Sequence, residues 1–92
     1  MDFVFEWDEE KAKSNTQKHG VTFRDAITIF TDPFLLTFHD ESHSDSEDQF
    51  ISIGTSEYNR VLLFVHTYRN GVIRIISSRI ATRQERKPYE RG

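Results

Sequence analysis

The chain has 92 residues, no cysteine and a formal net charge of −3. This length predicts one small domain over residues 1–92, and the lack of cysteine excludes disulfides and thiolate metal sites. No export signal and no run near the roughly 20 apolar residues of a membrane span is found, so we expect a soluble cytoplasmic protein. Residues 1–59 carry a net charge of −9 and residues 60–92 a net charge of +6. This division predicts either a basic face for phosphates or pairing between the two halves.

The first third of the chain predicts a strand and two helices. Residues 3–7 alternate apolar and other side chains, as in a strand. Residues 9–19 have acids in the first turn and bases in the last, and Gly20 follows as a helix end. A second helix over residues 22–30, capped by Thr22, spaces its apolar residues for burial. The first helix is poor in apolar residues, so we expect it on the surface.

The rest of the chain predicts a sheet and a final helix. A strand at residues 34–39 is followed by an acidic, exposed loop at residues 40–48. Three more strand-like runs lie at residues 49–55, 60–68 and 72–79. Thr82 and Glu85 then form a capping box for a C-terminal helix. The predicted fold class is α+β, with N-terminal helices packed on an antiparallel β-sheet and a C-terminal helix.

Asn70-Gly71 is a strong hairpin signal, because both residues tolerate the positive φ that a two-residue turn requires. Such a turn predicts three pairs on one sheet face: Arg69 with Val72, Thr67 with Arg74, and Val65 with Ile76. His66 would then lie on the opposite, core-like face. A three-residue bulged turn would instead put His66 opposite Arg74. Two arginines on one face require either phosphate or acidic side chains to balance their charge.

Two segments carry a family resemblance. Residues 7–23 contain the pattern W-D-x-x-K-x-x-x-N-x-x-K-H-G-V-x-F, and residues 74–89 contain R-I-I-S-S-R followed by A-T-x-x-E-x-x-x-Y. The sequence resembles the BrnT toxin family of type II toxin–antitoxin systems over nearly its whole length. The resemblance implies a RelE-like fold, RNA cleavage that inhibits translation, and neutralisation by a BrnA-like antitoxin with a ribbon-helix-helix domain. Toxin and antitoxin would bind operator DNA together. The sequence departs from the family pattern at Ser78, Ile80 and Gln49.

RNA cleavage without a metal or other cofactor requires a base, an acid and cations that stabilise the phosphorane. Three arginines are assigned to phosphate binding and transition-state charge: Arg69, Arg74 and Arg79. His66 is the candidate acid or base, because histidine titrates near neutral pH. Lys18 and His19 are assigned to RNA binding at the rim of the groove. If His66 is buried, the chemistry would depend instead on arginine, Lys18 or Glu57.

Each assignment has a structural alternative. His66, in an apolar strand, also fits a core histidine, and Lys18 and His19 also fit cations that stabilise a helix C-terminus. Arg79 also fits an anchor for the C-terminal helix, through Glu85 or Glu90. Trp7 and Tyr89 are interpreted as packing residues.

Six potential oxygen and nitrogen ligands lie in or beside the acidic loop: His39, Asp40, His43, Asp45, Glu47 and Asp48. No spacing there fixes two ligands on one rigid element, so a solvated loop explains them and no metal is expected. A function of another class also fits the basic C-terminal half. In that case the protein would be a non-catalytic module that binds an acidic protein or joins a complex on DNA.

Overall fold

The computed structural model describes residues 3–41 and 48–91, so residues 42–47 of the predicted acidic loop lie outside the described residues. The elements in chain order are β1 (Phe5–Glu6), α1 (Glu9–His19), α2 (Phe23–Ala26), a 3₁₀ helix (Ile27–Thr31), β2 (Leu36–His39), β3 (Gln49–Thr55), β4 (Val61–Arg69), β5 (Val72–Ile80) and α3 (Arg83–Arg91).

The five strands form one sheet in the order β1-β5-β4-β3-β2. Strands β2 to β5 are antiparallel neighbours, as predicted. The α+β class is confirmed, but the sheet is mixed, because β1 pairs with β5 in parallel. Phe5 explains the position of β1: its ring lies 5.2 Å from that of Phe30 and 6.5 Å from that of Phe64. These aromatic contacts hold β1 at the edge of the sheet.

Helix α1 begins and ends at the predicted residues. Asp8 accepts hydrogen bonds from the first-turn amides, and Gly20 adopts the left-handed conformation with φ 67°. Asn15 is the buried residue of this helix. Its Nδ2 donates to the carbonyls of Val21 (2.9 Å) and Ser78 (2.8 Å), and its Oδ1 accepts from the Ser78 amide at 3.1 Å. One side chain therefore takes the place of a strand partner at the outer edge of β5.

The predicted second helix is shorter than expected as an α-helix. Thr22 caps it by accepting from the Asp25 amide at 3.1 Å, but after Ala26 the chain continues as the 3₁₀ helix. Thr28 Oγ1 donates to the Asp25 carbonyl at 2.6 Å, and Thr31 Oγ1 donates to the Thr28 carbonyl at 2.8 Å. Hydroxyl groups thus compete for helix carbonyls in a β-branched stretch, which explains the tighter winding.

The hairpin between β4 and β5 has the predicted two-residue turn. Asn70 and Gly71 have φ of 51° and 79°, and Arg69 pairs with Val72. The alternative of a three-residue turn, with His66 opposite Arg74, is therefore wrong. His66 pairs instead with Ile75.

A β-bulge between Val65 and His66 corrects the predicted register farther along the hairpin. Thr67 pairs with Arg74 as expected, but Val65 pairs with Ser77 rather than with Ile76. Ile76 is the extra residue that the bulge accommodates. The alternation of side chains along β5 therefore shifts by one position at Ile76.

This shift decides which residues share a face of the sheet. Strand β4 is regular, so its alternate residues point the same way. We call the side with Leu62, Phe64, His66 and Tyr68 the core face, and the side with Leu63, Val65, Thr67 and Arg69 the arginine face. Arg74 pairs with Thr67 and Arg79 pairs with Leu63, so both belong to the arginine face. In an unbroken strand, residues five apart would lie on opposite faces.

The hydrophobic core lies between the core face and the helices that follow α1. Its buried members are Val21, Phe23, Ala26, Ile29, Leu62, Phe64, Ile73 and Ile75. Helix α3 has no buried residue, and it contacts β3 near Thr55, at one end of the arginine face. Within residues 3–41 and 48–91, no helix is both long enough and apolar enough to cross a membrane.

Candidate functional site

Arg79 is held firmly on the arginine face. Its two terminal nitrogens, Nη1 and Nη2, each donate to one oxygen of Glu85 at 2.7 Å. Glu85 also accepts from the Thr82 amide at 2.9 Å, and its own amide donates to Thr82 Oγ1 at 3.2 Å. This confirms both the capping box and the predicted anchoring of the C-terminal helix through Glu85. Hydrogen bonds to Glu85 raise the pKa of Arg79, and those from Arg79 lower the pKa of Glu85 to about 2.

Arg74 and Arg69 lie on the same face but are held differently. Arg74 Nη1 lies 3.7 Å from Glu6 Oε1, and both side chains are partly exposed. A contact of this length between exposed groups contributes little stability. Arg69 is exposed at the end of β4, next to the hairpin turn. The arginine face therefore carries three guanidinium groups in a row along the hairpin.

Lys18 and His19 line a groove, and their assignment to RNA binding stays a prediction. The groove runs between α1 and the bulged part of β5 and has a volume of about 160 Å³. Its lining residues are Lys11, Ser14, Asn15, Lys18, His19, Ile76 and Ser77. We call it the α1–β5 groove. Ser77 pairs with Val65 of the arginine face, so the cations of α1 and the arginines of β5 flank one stretch of strand.

His66 is not brought together with the arginines. It is fully buried on the core face, where rings surround it at centroid distances of 5.2 to 6.0 Å: Phe30, Phe50, Phe64 and Tyr68. Its Nε2 hydrogen bonds to Ser52 Oγ at 2.8 Å, whereas Nδ1 has no partner among the described residues. Burial lowers the pKa of His66 from 6.5 to about 4. These are the surroundings of a core histidine.

Tyr89 does more than fill space, contrary to its interpretation as a packing residue. Its hydroxyl hydrogen bonds to Asp32 and also lies 2.7 Å from Thr55 Oγ1. Burial acts to raise the pKa of Asp32, but hydrogen bonds from Tyr89 and from the amides of Thr55 and Phe34 outweigh it and lower that pKa. Tyr89 therefore fixes the second turn of α3 to the sheet, as Glu85 fixes the first.

Two polar contacts that support the site were not predicted, although Asn15 is one of the fixed positions of the family pattern. Asn15 lies in a surface helix, and only the folded chain brings it to Ser78. Asp25 is almost fully buried and accepts from Arg60 Nη2 at 2.9 Å, while Arg60 Nη1 donates to the Gly20 carbonyl at 3.1 Å. The pair joins the end of α1 and helix α2 to the residue that precedes β4.

Two other candidate residues lie away from the arginine face. Glu57 is in the β3–β4 turn, where its amide donates to Thr28 Oγ1 on the helix side of the sheet at 2.9 Å. His39 Nε2 lies 3.2 Å from Asp48 Oδ1. Among residues 3–41 and 48–91, no three histidine, aspartate or glutamate side chains come together as a metal site. His43, Asp45 and Glu47 lie outside the described residues.

Comparison with known proteins identifies the family. A sequence model of the ribonuclease toxin BrnT of type II toxin–antitoxin systems matches residues 7–85. The chain belongs to the BrnT ribonuclease toxin family. Its fold is similar to the 1.1 Å crystal structure of the ribonuclease toxin BrnT from Brucella abortus, with a TM-score of 0.67 and 20% sequence identity. The match covers 89% of this chain and 100% of that one, and at this identity it shows the shared fold alone.

A search of curated proteins gave no match. Membership of the BrnT family, a toxin family of type II toxin–antitoxin systems, implies an antitoxin partner. A ribonuclease must bind a phosphodiester backbone, so the basic surface described above agrees with this family. The residues of the BrnT family match include Lys18, His19 and all three arginines of the arginine face.

Proposed function

We propose that this protein is a metal-independent endoribonuclease toxin whose catalytic surface is the arginine face together with the α1–β5 groove. The observation that carries the proposal is the β-bulge in the hairpin. It brings Arg79 onto the same face as Arg74, with Ser77 and the groove between them. Guanidinium groups present planar pairs of donors that match phosphate oxygens, and they remain charged at every working pH.

The proposed reaction is an internal transesterification of RNA. The 2′-oxygen attacks the adjacent phosphorus, the new bond closes a 2′,3′-cyclic phosphate, and the bond from phosphorus to the 5′-oxygen breaks. A base takes the proton of the 2′-hydroxyl, and an acid gives a proton to the departing 5′-oxygen. Arg74 and Arg79 stabilise the charge that builds on the phosphorus-bound oxygens. Arg69, at the end of the row, binds a neighbouring phosphate.

We assign proton transfer to the groove rather than to His66. His66 is enclosed by aromatic rings on the other side of the sheet, and its lowered pKa leaves it neutral near pH 7. His19 is the histidine that lines the α1–β5 groove, and an imidazole can act as a general base or acid. Lys18 beside it binds the RNA backbone. Glu57, on the helix side of the sheet, has no part in this assignment.

The test is cleavage of a defined RNA by the purified chain in EDTA, with variants in matched pairs. Arg79→Ala should lose cleavage, whereas Arg86→Ala, which changes an arginine of α3 paired with Glu90, should keep it. Lys18→Ala should weaken RNA binding and lower its salt dependence by about one phosphate contact. Lys13→Ala on the same helix, outside the groove lining, should change binding less.

Different results would separate this proposal from a non-catalytic binding module. Cleavage by the wild type in EDTA, with cyclic-phosphate or 3′-phosphate ends, supports the ribonuclease. If the folded wild type binds RNA without cleaving it, and all four variants weaken binding alike, the proposed chemistry is wrong. Cleavage that needs an added divalent metal would refute metal independence while leaving the ribonuclease in place.

We further propose a BrnA-like antitoxin with a ribbon-helix-helix domain as the partner, acting in the cytoplasm where RNA is the target. This rests on the family, whose members belong to type II toxin–antitoxin systems. The toxin would reach operator DNA only through that antitoxin. Co-expression with a BrnA-like ribbon-helix-helix protein should give a stable complex that slows operator DNA in a gel mobility-shift assay and does not cleave RNA. A mobility shift of the same DNA by the toxin alone would contradict this arrangement.

A further inference from the structure

We propose that Glu85 is a positioning residue for RNA cleavage, which holds the guanidinium of Arg79 so that its remaining edge faces the scissile phosphate. This inference rests on the proposed catalytic role of Arg79. Glu85 belongs to α3 and Arg79 to β5, so the contact joins the first turn of the C-terminal helix to the arginine face. It is a bidentate contact with both N–O distances at 2.7 Å.

The geometry leaves part of Arg79 available. Glu85 uses the edge formed by Nη1 and Nη2, and Nη1 also lies 3.4 Å from the Ile80 carbonyl. Among the described residues, no group accepts from Nε, so the second edge, formed by Nε and Nη2, can take a phosphate. A guanidinium carries five N–H donors in a planar fork, which is enough for a carboxylate on one edge and a phosphate on the other.

Glu85 is itself positioned by contacts other than the one with Arg79. One of its oxygens accepts from the Thr82 amide, within the capping box at the start of α3. The next turn of the helix is fixed by Tyr89, which bonds to Asp32 and Thr55. The helix has no buried residue, so these polar contacts determine where it lies and therefore where the carboxylate of Glu85 sits.

Arg74 provides the contrast within the same face. Among the described residues, its nearest carboxylate oxygen belongs to Glu6 and is 3.7 Å away, and Glu6 is more exposed than Glu85. An arginine held at one distant point must lose side-chain freedom when the transition state forms, whereas Arg79 has already lost it. We therefore assign transition-state stabilisation mainly to Arg79 and initial phosphate binding mainly to Arg74.

The test compares Glu85→Gln with Glu90→Gln, which makes the same change of charge on the same helix where the partner is Arg86 at 3.6 Å. We expect Glu85→Gln to lower kcat by roughly 10- to 100-fold. Its KM should be equal or lower, since a negative charge near the phosphate is gone. Glu90→Gln should keep the wild-type kcat, and Glu85→Asp should recover part of the loss because it restores a carboxylate.

A readout independent of activity is the NMR signal of the Arg79 guanidinium. Rotation of the group should be slow in the wild type and fast in Glu85→Gln. Equal rotation in both, or a wild-type kcat for folded Glu85→Gln, would overturn the positioning role, and a raised kcat would show that Glu85 blocks Arg79. If circular dichroism shows that Glu85→Gln does not fold, the same two measurements are made on Glu85→Asp, whose shorter side chain should give a kcat below that of the wild type and faster rotation of the Arg79 guanidinium. A wild-type kcat and wild-type rotation in Glu85→Asp would then overturn the positioning role. If Arg79→Ala cleaves RNA normally, the proposed site itself is wrong.

Discussion

Replacing His66 by phenylalanine should make the stability of the protein less sensitive to acid. His66 is fully buried among aromatic rings, and its pKa falls from 6.5 to about 4 on folding because of burial. Between these two values the unfolded chain binds a proton that the folded chain does not. The folded state is therefore fully stable above pH 6.5 and loses stability as the pH falls toward 4. Phenylalanine removes this dependence.

The two pKa values set the size of the effect. With 6.5 for the unfolded chain and about 4 for the folded one, linkage gives a loss of about 2 kcal/mol at pH 5 and very little loss at pH 7. Phenylalanine also gives up the hydrogen bond to Ser52. That change costs about 1 kcal/mol at every pH. It therefore lowers the unfolding free energy equally at pH 5 and pH 7 and leaves the difference between them unaffected.

The assay is urea unfolding at pH 7 and pH 5 for the wild type, His66→Phe and His39→Asn. The drop in unfolding free energy between the two pH values should be about 2 kcal/mol smaller in His66→Phe than in the wild type. His39 is 40% exposed, so His39→Asn is the control for loss of a histidine outside the core. Equal drops in the wild type and His66→Phe would refute the argument that His66 is buried neutral. The folded His66→Phe variant should also keep RNA cleavage.

Three further changes test the contacts that hold the fold. Asn15→Ala strips three hydrogen bonds from buried groups and should lower the unfolding free energy by about 3 kcal/mol in urea; a loss under about 1 kcal/mol would contradict the edge-capping role. Tyr89→Phe should speed amide exchange in α3 and cost about 1 kcal/mol, whereas Tyr58→Phe, at a residue that is 75% exposed, should do neither. Gly54→Ala would put a Cβ 3.1 Å from that of Ile29. The overpacking should lower the unfolding free energy by about 1–3 kcal/mol and therefore also the melting temperature. An unchanged melting temperature would show that the 3₁₀ helix moves to make room for the added methyl group.

Local features of the sequence predicted the elements well, because the signals act within a few residues. Asp8 and Gly20 bound α1, Thr82 and Glu85 form the expected capping box, and Asn70 adopts the positive φ that the turn signal implies. Each of these depends on hydrogen bonds or backbone conformations inside one turn. The resemblance to the BrnT family was equally readable, since its two segments are continuous in the chain.

The arrangement of the candidate site was decided by tertiary structure. A bulge cannot be located from alternation alone, because Ile76 fits either an ordinary strand position or an inserted one, and only pairing with β4 shows which applies. That single residue determines whether Arg79 shares a face with Arg74. The sequence by itself was enough to predict the hairpin, the arginines on its two strands and the capped C-terminal helix. Packing between distant segments decided that His66 enters the core, that β1 joins in parallel, and that Glu85 meets Arg79.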